Sequence, residues 1–231
     1  MESRIAVLLK SVPIFEDLLY EELESIVPLF TERKYKKGSI LFWEGEPGDE
    51  FFIIKSGLVK IYRLDESREI ILSMFREGDF FGEMALFRQD MKRTATAETM
   101  EATSFYVLSR SDFAGFMEKY PKILLMLLET LSERLHKANE QILSLTFQDV
   151  RTRIYKTLLR LAEEYGTPYQ NRSTINVKLT HQQVAGMVGT VRESVTKAFL
   201  ELQDDGIIAV QNKFIMIKDM NKLRSKIIPS K

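Results

Sequence analysis

The chain contains no cysteine and only two histidines, His136 and His181. The first absence excludes disulfides, thiolate zinc sites, thiol redox switches and cysteine-ligated iron–sulfur clusters. The second leaves no histidine between Tyr35 and Leu108. No apolar run approaches the roughly 20 residues that cross a bilayer, and Met1-Glu2-Ser3-Arg4 lacks the basic-then-apolar pattern of a signal peptide. A cytoplasmic location without a membrane partner is therefore expected. No grouping of side chains suggests a catalytic triad, and the acidic pairs Glu21-Glu22 and Asp204-Asp205 read as solvated helix faces. An enzyme is not expected, nor a tightly bound cofactor.

The 231 residues and 45% hydrophobic content suffice for one large or two modest cores. A net charge of zero hides an asymmetry. Residues 1–146 carry 19 Lys and Arg against 25 Asp and Glu, and residues 147–231 carry 14 against 8. The C-terminal part is thus basic, as phosphate neutralisation by a nucleic-acid-binding domain requires.

That basic part holds Thr180 to Lys197, in which two helix starts are joined across Gly189. Thr180 with Gln183, and Thr190 with Glu193, have the spacing of capping boxes. Ala185 and Gly189 suit a close helix crossing, and Val184, Val188, Val191 and Val195 are spaced to fill it. The second helix then carries Arg192, Glu193, Thr196 and Lys197 outward, and these four with Thr180 and Thr190 are the expected DNA-binding residues. This is the layout of a helix-turn-helix that reads double-stranded DNA. Beyond it, Ile207–Val210 and Phe214–Ile217 flank a Gln211-Asn212-Lys213 turn and predict a hairpin, the wing of a winged helix.

Between Tyr35 and Leu108 short apolar runs alternate with glycines: Ile40–Phe42, Phe51–Ile54, Leu58–Tyr62, Ile70–Leu72, Phe80-Phe81 and Phe105–Leu108. They predict an antiparallel barrel or jelly roll, with Gly38, Gly45, Gly48, Gly57, Gly78 and Gly82 at turns needing positive φ. From Pro121 the rhythm changes. Leu124, Leu128, Leu131, Leu135, Ala138, Ile142 and Leu145 form an a/d seam three heptads long, while Met126 and Leu127 offer a second apolar face. The seam predicts a coiled coil and a homodimer, which would present two recognition helices to successive major grooves. Thr146–Asp149 interrupts it as a hinge, Val150 to Tyr165 reads as a helix ended by Gly166 and Pro168, and a polar stretch, Tyr169 to Thr174, leads into a strand at Ile175–Val177. The expected fold is α+β: a jelly-roll sensing domain over 1–120, a dimerisation helix over 121–146 and a winged helix-turn-helix over 147–231.

Phe81-Gly82-Glu83-Met84-Ala85-Leu86, followed by Arg93-Thr94-Ala95-Thr96-Ala97, is the chemically richest segment of the first domain. A glycine exposes backbone N–H groups, a glutamate accepts from sugar hydroxyls, and an arginine beside a hydroxyl holds a phosphate. Taken alone, Gly82 also reads as a plain turn and Glu83 with Arg93 as a surface ion pair.

The order of barrel, cassette, heptad helix and winged helix-turn-helix resembles the cAMP-receptor-protein and fumarate-nitrate-reductase regulator family of bacteria, from about Ile14 to Ile217. The resemblance implies an allosteric transcription regulator whose effector is cyclic AMP or a related nucleotide. It implies that Glu83 holds the ribose 2′-hydroxyl, that Gly82, Arg93 and Thr94 hold the cyclic phosphate, and that Met84 and Ala85 complete the cassette. Arg192 and Glu193 would read base edges of a two-fold symmetric site with TGTGA-like halves, and RNA polymerase would be a further partner. Two positions depart from the pattern. Ala138 and Asn139 stand where cyclic-AMP responders carry a hydroxyl pair for the adenine, and Ala138 cannot hydrogen-bond, although Asn139 offers both donor and acceptor. Lys197 stands where such members usually carry arginine and is a point charge rather than a planar fork. The rival readings are a haem-based gas sensor of the same family, for which His136 is the sensor half's histidine, and a cupin-type metalloenzyme, which needs several histidines inside the barrel.

Overall fold

The computed structural model describes residues 4–66, 68–87 and 91–227. Two short helices that no sequence signal marked, α1 (Arg4–Lys10) and α2 (Tyr20–Ile26), precede the first strand. Among the described residues eight strands follow: β1 (Thr31–Tyr35), β2 (Ile40–Phe42), β3 (Glu50–Ser56), β4 (Leu58–Asp65), β5 (Arg68–Arg76), β6 (Phe80–Phe81), β7 (Thr96–Thr99) and β8 (Thr103–Ser109). They make two four-stranded sheets, ordered β1-β8-β3-β6 and β2-β7-β4-β5. The helices α3 (Arg110–Lys119) and α4 (Lys122–Phe147) come next.

The apolar run at 51–54 is continuous because both faces of β3 are covered. Phe52 and Ile54 turn inward to a core shared with Val59, Phe81, Ala97 and Phe105. Phe51 and Ile53 turn outward to a second core built with Leu9, Leu23, Phe113, Ile123 and Leu127 from the four helices. The register Phe52↔Val107 and Ile53↔Tyr106 keeps β8 in step, so its residues alternate between the same two cores. β1 and β7 were missed in the sequence because their residues, Thr31-Glu32-Arg33-Lys34-Tyr35 and Thr96-Ala97-Glu98-Thr99, are mostly polar.

By contacts the chain divides into two units, one running up to Arg63 with Ile71–Lys137, the other comprising Leu64–Ile70 and the chain from Ala138 onward. The second unit contains α5 (Val150–Tyr165), β9 (Gly166–Tyr169), β10 (Arg172–Ile175), α6 (His181–Val188), α7 (Arg192–Asp204), β11 (Ile208–Gln211), β12 (Phe214–Ile217) and α8 (Met220–Ser225). Its strands form one sheet, β11-β12-β10-β9. The wing hairpin is therefore present, its turn held by left-handed Asn212 and Lys213. The expected polar loop at 169–174 is instead the turn and second strand of the β9–β10 hairpin, and 176–179 is not a strand. Among the described residues no helix is long and apolar enough to cross a membrane.

Three readings of small residues need correction. Gly48 lacks a positive φ; it is glycine because a Cβ there would strike the Ala85 Cβ and, at 2.7 Å, Arg93 Nε. Gly189 is not a crossing point but the left-handed C-cap of α6, φ 69°. Thr190 is not an N-cap: α7 begins after Val191, which makes no side-chain cap and is exposed rather than packed between the helices. The Thr180–Gln183 capping box of α6 is formed as expected.

Gly57 between β3 and β4 has φ 105°, and a Cβ would lie 2.8 Å from the Thr103 Cα. Gly57→Ala should destabilise the protein by on the order of 2–3 kcal/mol, since strain and a backbone clash add. Gly115, inside α3 with open space around its Cβ position, is the opposite case. Gly115→Ala should stabilise by about 0.5–1 kcal/mol. Urea unfolding midpoints at unchanged slope check both, and a loss of stability in Gly115→Ala or none in Gly57→Ala refutes the respective reading.

Candidate effector pocket and DNA interface

The cassette leaves β6, turns at Gly82 and enters a short 3-10 helix, Glu83–Ala85. This turn carries Glu83 inside, where the residue is 2% exposed. One carboxylate oxygen accepts from Arg134 Nη1 at 3.0 Å, while the other, Oε2, has no hydrogen-bond partner among the described residues. Arg134 also donates to the Phe80 carbonyl at 2.6 Å, and its guanidinium lies 4.8 and 4.6 Å from the Phe75 and Phe80 ring centres.

Arg93 is 5% exposed. Its Nη1 donates to the Gly82 carbonyl and its Nη2 to the Glu50 carbonyl, both at 2.9 Å. The planar face sits 4.1 Å from the Phe42 ring centre, and Nε has no hydrogen-bond partner among the described residues. Burial pushes the guanidinium pKa down from its ordinary value, with Asp49, Glu50 and Glu83 opposing the shift. At neutral pH an arginine nonetheless stays charged. Gly82 is required by proximity, because a Cβ would lie 2.9 Å from Arg93 Nη1 and 3.0 Å from the Glu50 carbonyl.

Glu83 and Arg93 are thus not a surface ion pair. Both are buried, and the ion-pair partner of Glu83 is Arg134. Of the expected effector residues, Gly82, Glu83, Ala85 and Arg93 are brought together, whereas Met84 and Thr94 are exposed at the cassette's surface and Asn139 is exposed on α4. Sequence reasoning missed Arg134, although a signal existed: it falls seven residues after buried Leu127, on the same helix face. Arg110, also missed, donates to the carbonyls of Leu86, Ala85 and Gly48 and so pins the cassette from the start of α3. An unpartnered acceptor and an unpartnered donor, both buried in one cassette, suit a ligand that brings a hydroxyl and an anionic oxygen.

Along α4, Ile123 and Leu127 are buried in the helix-side core, and Met126 packs against it. Leu131, assigned to the seam, packs against that core as well. The rest of the seam is open: Leu128 and Leu135 are each 63% exposed and Ile142 60%, with Leu124, Ala138 and Leu145 also exposed.

In the helix-turn-helix, Val184, Ala185, Val188, Val195, Ala198 and Phe199 are buried and hold α6 against α7. Arg192, Glu193 and Lys197 are exposed on α7. Thr196 is half-buried and engaged. Its hydroxyl donates to the Arg192 carbonyl at 3.0 Å and lies 2.8 Å from His181 Nδ1. A hydroxyl has one hydrogen, so Nδ1–H of the imidazole is the donor in that second contact. Burial, then the charge of Arg192, holds the His181 pKa below the usual imidazole value, which keeps this bridge between the helices neutral. Thr180 is likewise occupied by its cap, and the Thr190 N–H donates to the Ala185 carbonyl.

Residues 32–120 match the cyclic nucleotide-binding domain family and residues 152–226 the Crp-like helix-turn-helix domain family. A CRP-like cAMP-activated global transcriptional regulator of Mycobacterium tuberculosis is 34% identical over 190 residues, covering 82% of this chain and 84% of the relative. Among solved structures, a CRP/FNR-family transcriptional regulator of Thermus thermophilus superposes with TM-score 0.71 at 29% identity, over 85% of this chain and 98% of that one. The c-di-GMP-responsive global regulator CLP of Xanthomonas campestris gives 0.75 at 26% identity, with the same coverages. A sensing barrel, a long helix and a winged helix-turn-helix in one chain, joined to this likeness, make the protein a member of the Crp/Fnr family of DNA-binding transcription regulators.

Proposed function

We propose that this regulator is a homodimer switched by a cyclic nucleotide, cyclic AMP being the first ligand to test. The observation that supports the effector is the pair of buried, unpartnered atoms Glu83 Oε2 and Arg93 Nε. Ribose hydroxyls can donate to the first and a cyclic phosphate can accept from the second, so one nucleotide removes both desolvation penalties. Arg110 keeps the cassette backbone in place for it. Asn139 offers a purine edge a donor and an acceptor; that assignment rests on the family correspondence alone, and the titration must include cyclic GMP and c-di-GMP.

The exposed leucines of α4 support dimerisation, since a stripe of this length left in water is unfavourable and a second copy covers it. The proposed division remains 1–120 for sensing, 121–146 for dimerisation and 147–231 for DNA. In the DNA part, Arg192 donates to guanine O6 and N7, Glu193 accepts from cytosine N4, and Lys197 contacts DNA as a point charge. Thr180, Thr190 and Thr196 hold the two helices in register, which is a positioning role. The site of action is the cytoplasm, with RNA polymerase as the further partner.

Calorimetry of Arg93→Leu with cyclic AMP should show a loss of on the order of 2–4 kcal/mol of binding. Wild-type protein that binds no cyclic nucleotide at millimolar concentration would remove the effector assignment. Replacing Leu128 and Leu135 together with glutamate should dissociate the dimer, because charges would face a partner helix unpaired; light scattering that still finds a dimer sends the stripe elsewhere. Glu193 stands at the second position of α7 with no Thr190 box to complete, so Glu193→Ala should relax base preference at one position, costing roughly 1–3 kcal/mol there. Selection from a randomised-site library reads this directly, and an unchanged preference with a lowered melting temperature would assign Glu193 to helix stability instead.

A further inference from the structure

Histidine is the side chain whose ordinary pKa places its charge change near neutrality, and the chain holds two, with no cysteine beside them. His136 is exposed on α4. His181 is the first residue of α6 and is tied into the helix-turn-helix. Its Nδ1–H donates to Thr196 Oγ1 at 2.8 Å, and the Thr196 hydroxyl donates its own hydrogen to the Arg192 carbonyl at 3.0 Å. The ring meets Phe199 edge-on, 4.9 Å between centres. These contacts fix the tautomer, so the neutral ring carries a bare lone pair on Nε2. That nitrogen forms no hydrogen bond among the described residues, and it is not one of the buried unpartnered side-chain atoms, so it meets solvent.

The ring lies beside the outward face of α7. Thr196 stands one helical turn beyond Arg192 on that face, and Arg192, Glu193 and Lys197 are exposed along it. Burial first, and then the charge of Arg192, holds the His181 pKa below the usual imidazole value. The charged groups on the other elements around α6 are engaged elsewhere. Arg153 of α5 donates to the Val188 and Gly189 carbonyls at the far end of α6, and Lys178, ahead of α6, lies over the Phe214 ring at 5.3 Å. The free protein thus presents a neutral acceptor nitrogen next to a cation. DNA reverses that balance, because its phosphates favour the imidazolium and a phosphate oxygen is repelled by a lone pair but accepts readily from an N–H. Adding the proton leaves Nδ1–H in place, so the bridge from α6 to α7 survives it.

We propose that DNA binding takes up one proton from solvent at each His181, and that the new Nε2–H donates to a DNA phosphate beside the base contacts of α7, so that the regulator grips DNA more tightly as the medium becomes acidic. The inference rests on α7 being the helix that enters DNA. Linkage sets the direction: the complex binds more protons than the free components, so affinity rises as pH falls across the interval between the free and bound imidazole pKa values and is flat on either side.

Fluorescence anisotropy of the full chain on a selected two-fold symmetric DNA site, from pH 6 to pH 8 at fixed ionic strength, tests this. The unaltered protein should bind about tenfold tighter or more at the acid end, the change expected for a shift of about one pKa unit. His136→Gln should retain that dependence, and His181→Gln, whose amide can still donate to Thr196 but cannot titrate, should reduce it to about threefold or less. Circular dichroism melts establish that both variants are folded. A second measurement needs no altered His181: the two imidazole signals in the NMR spectrum, assigned with His136→Gln, should show His181 titrating at higher pH with DNA than without. A dissociation constant that does not change with pH overturns the proposal. So does a dependence that is undiminished in folded His181→Gln, or a His181 titration that DNA leaves in place. Failure to bind any selected site at any pH overturns the assignment of α7 to DNA, and the proton uptake with it.

Discussion

The barrel is organised around a carboxylate that it can only half satisfy. Glu83 is carried inside by the turn at Gly82, and a buried carboxylate is costly unless paired. Among the described residues one oxygen is answered by Arg134 and the other by nothing. Arg134 is the only partner this carboxylate has among the described residues, and it comes from α4, whose residues continue past Lys137 into the second unit. The glycines at 48 and 82, the stack of Arg93 on Phe42 and the clamp of Arg110 all follow from fitting two buried charges into a space lined by phenylalanine rings.

This arrangement gives α4 two tasks on two faces. Ile123, Leu127 and Leu131 anchor it in the helix-side core, and Arg134 continues that face to Glu83. Leu128, Leu135 and Ile142 leave the other face apolar and open. A ligand that takes the free oxygen of Glu83 changes the electrostatic surroundings of Arg134 and so acts on the helix that carries the exposed leucine stripe. Such a coupling needs only a difference in effector affinity between two arrangements, typically 1–3 kcal/mol.

Much of this was legible in the sequence. The 4-3 spacing marked the helix α4 and its exposed leucines, although Leu131 packs into the helix-side core, Thr180 with Gln183 marked the start of α6, and the apolar runs marked most barrel strands. What was not legible has physical reasons. The strands β1 and β7 are polar because their side chains face water or join hydrogen-bond networks, such as Thr99 with Lys36 and Ser39. Thr190 has the right spacing to Glu193 for a capping box, but Gly189 and Thr190 are used to end α6, so the next helix starts one residue later than the box requires. Pairings such as Glu83 with Arg134, or Arg110 with three carbonyls, join residues far apart in the chain, and local patterns do not encode partners at that distance. Thr196 shows the same limit: helical spacing put it on the outward face, and only packing shows His181 and the Arg192 carbonyl claiming its hydroxyl.

An effector that switches DNA binding must also be bound differently when DNA is present, by the same factor. The most direct measurement is the dissociation constant of cyclic AMP for the protein alone and for the protein saturated with a selected two-fold symmetric DNA site. A difference of about fivefold or more is expected. Equal constants in the two states, or no binding in either, would contradict a nucleotide-driven switch acting through Glu83 and α4.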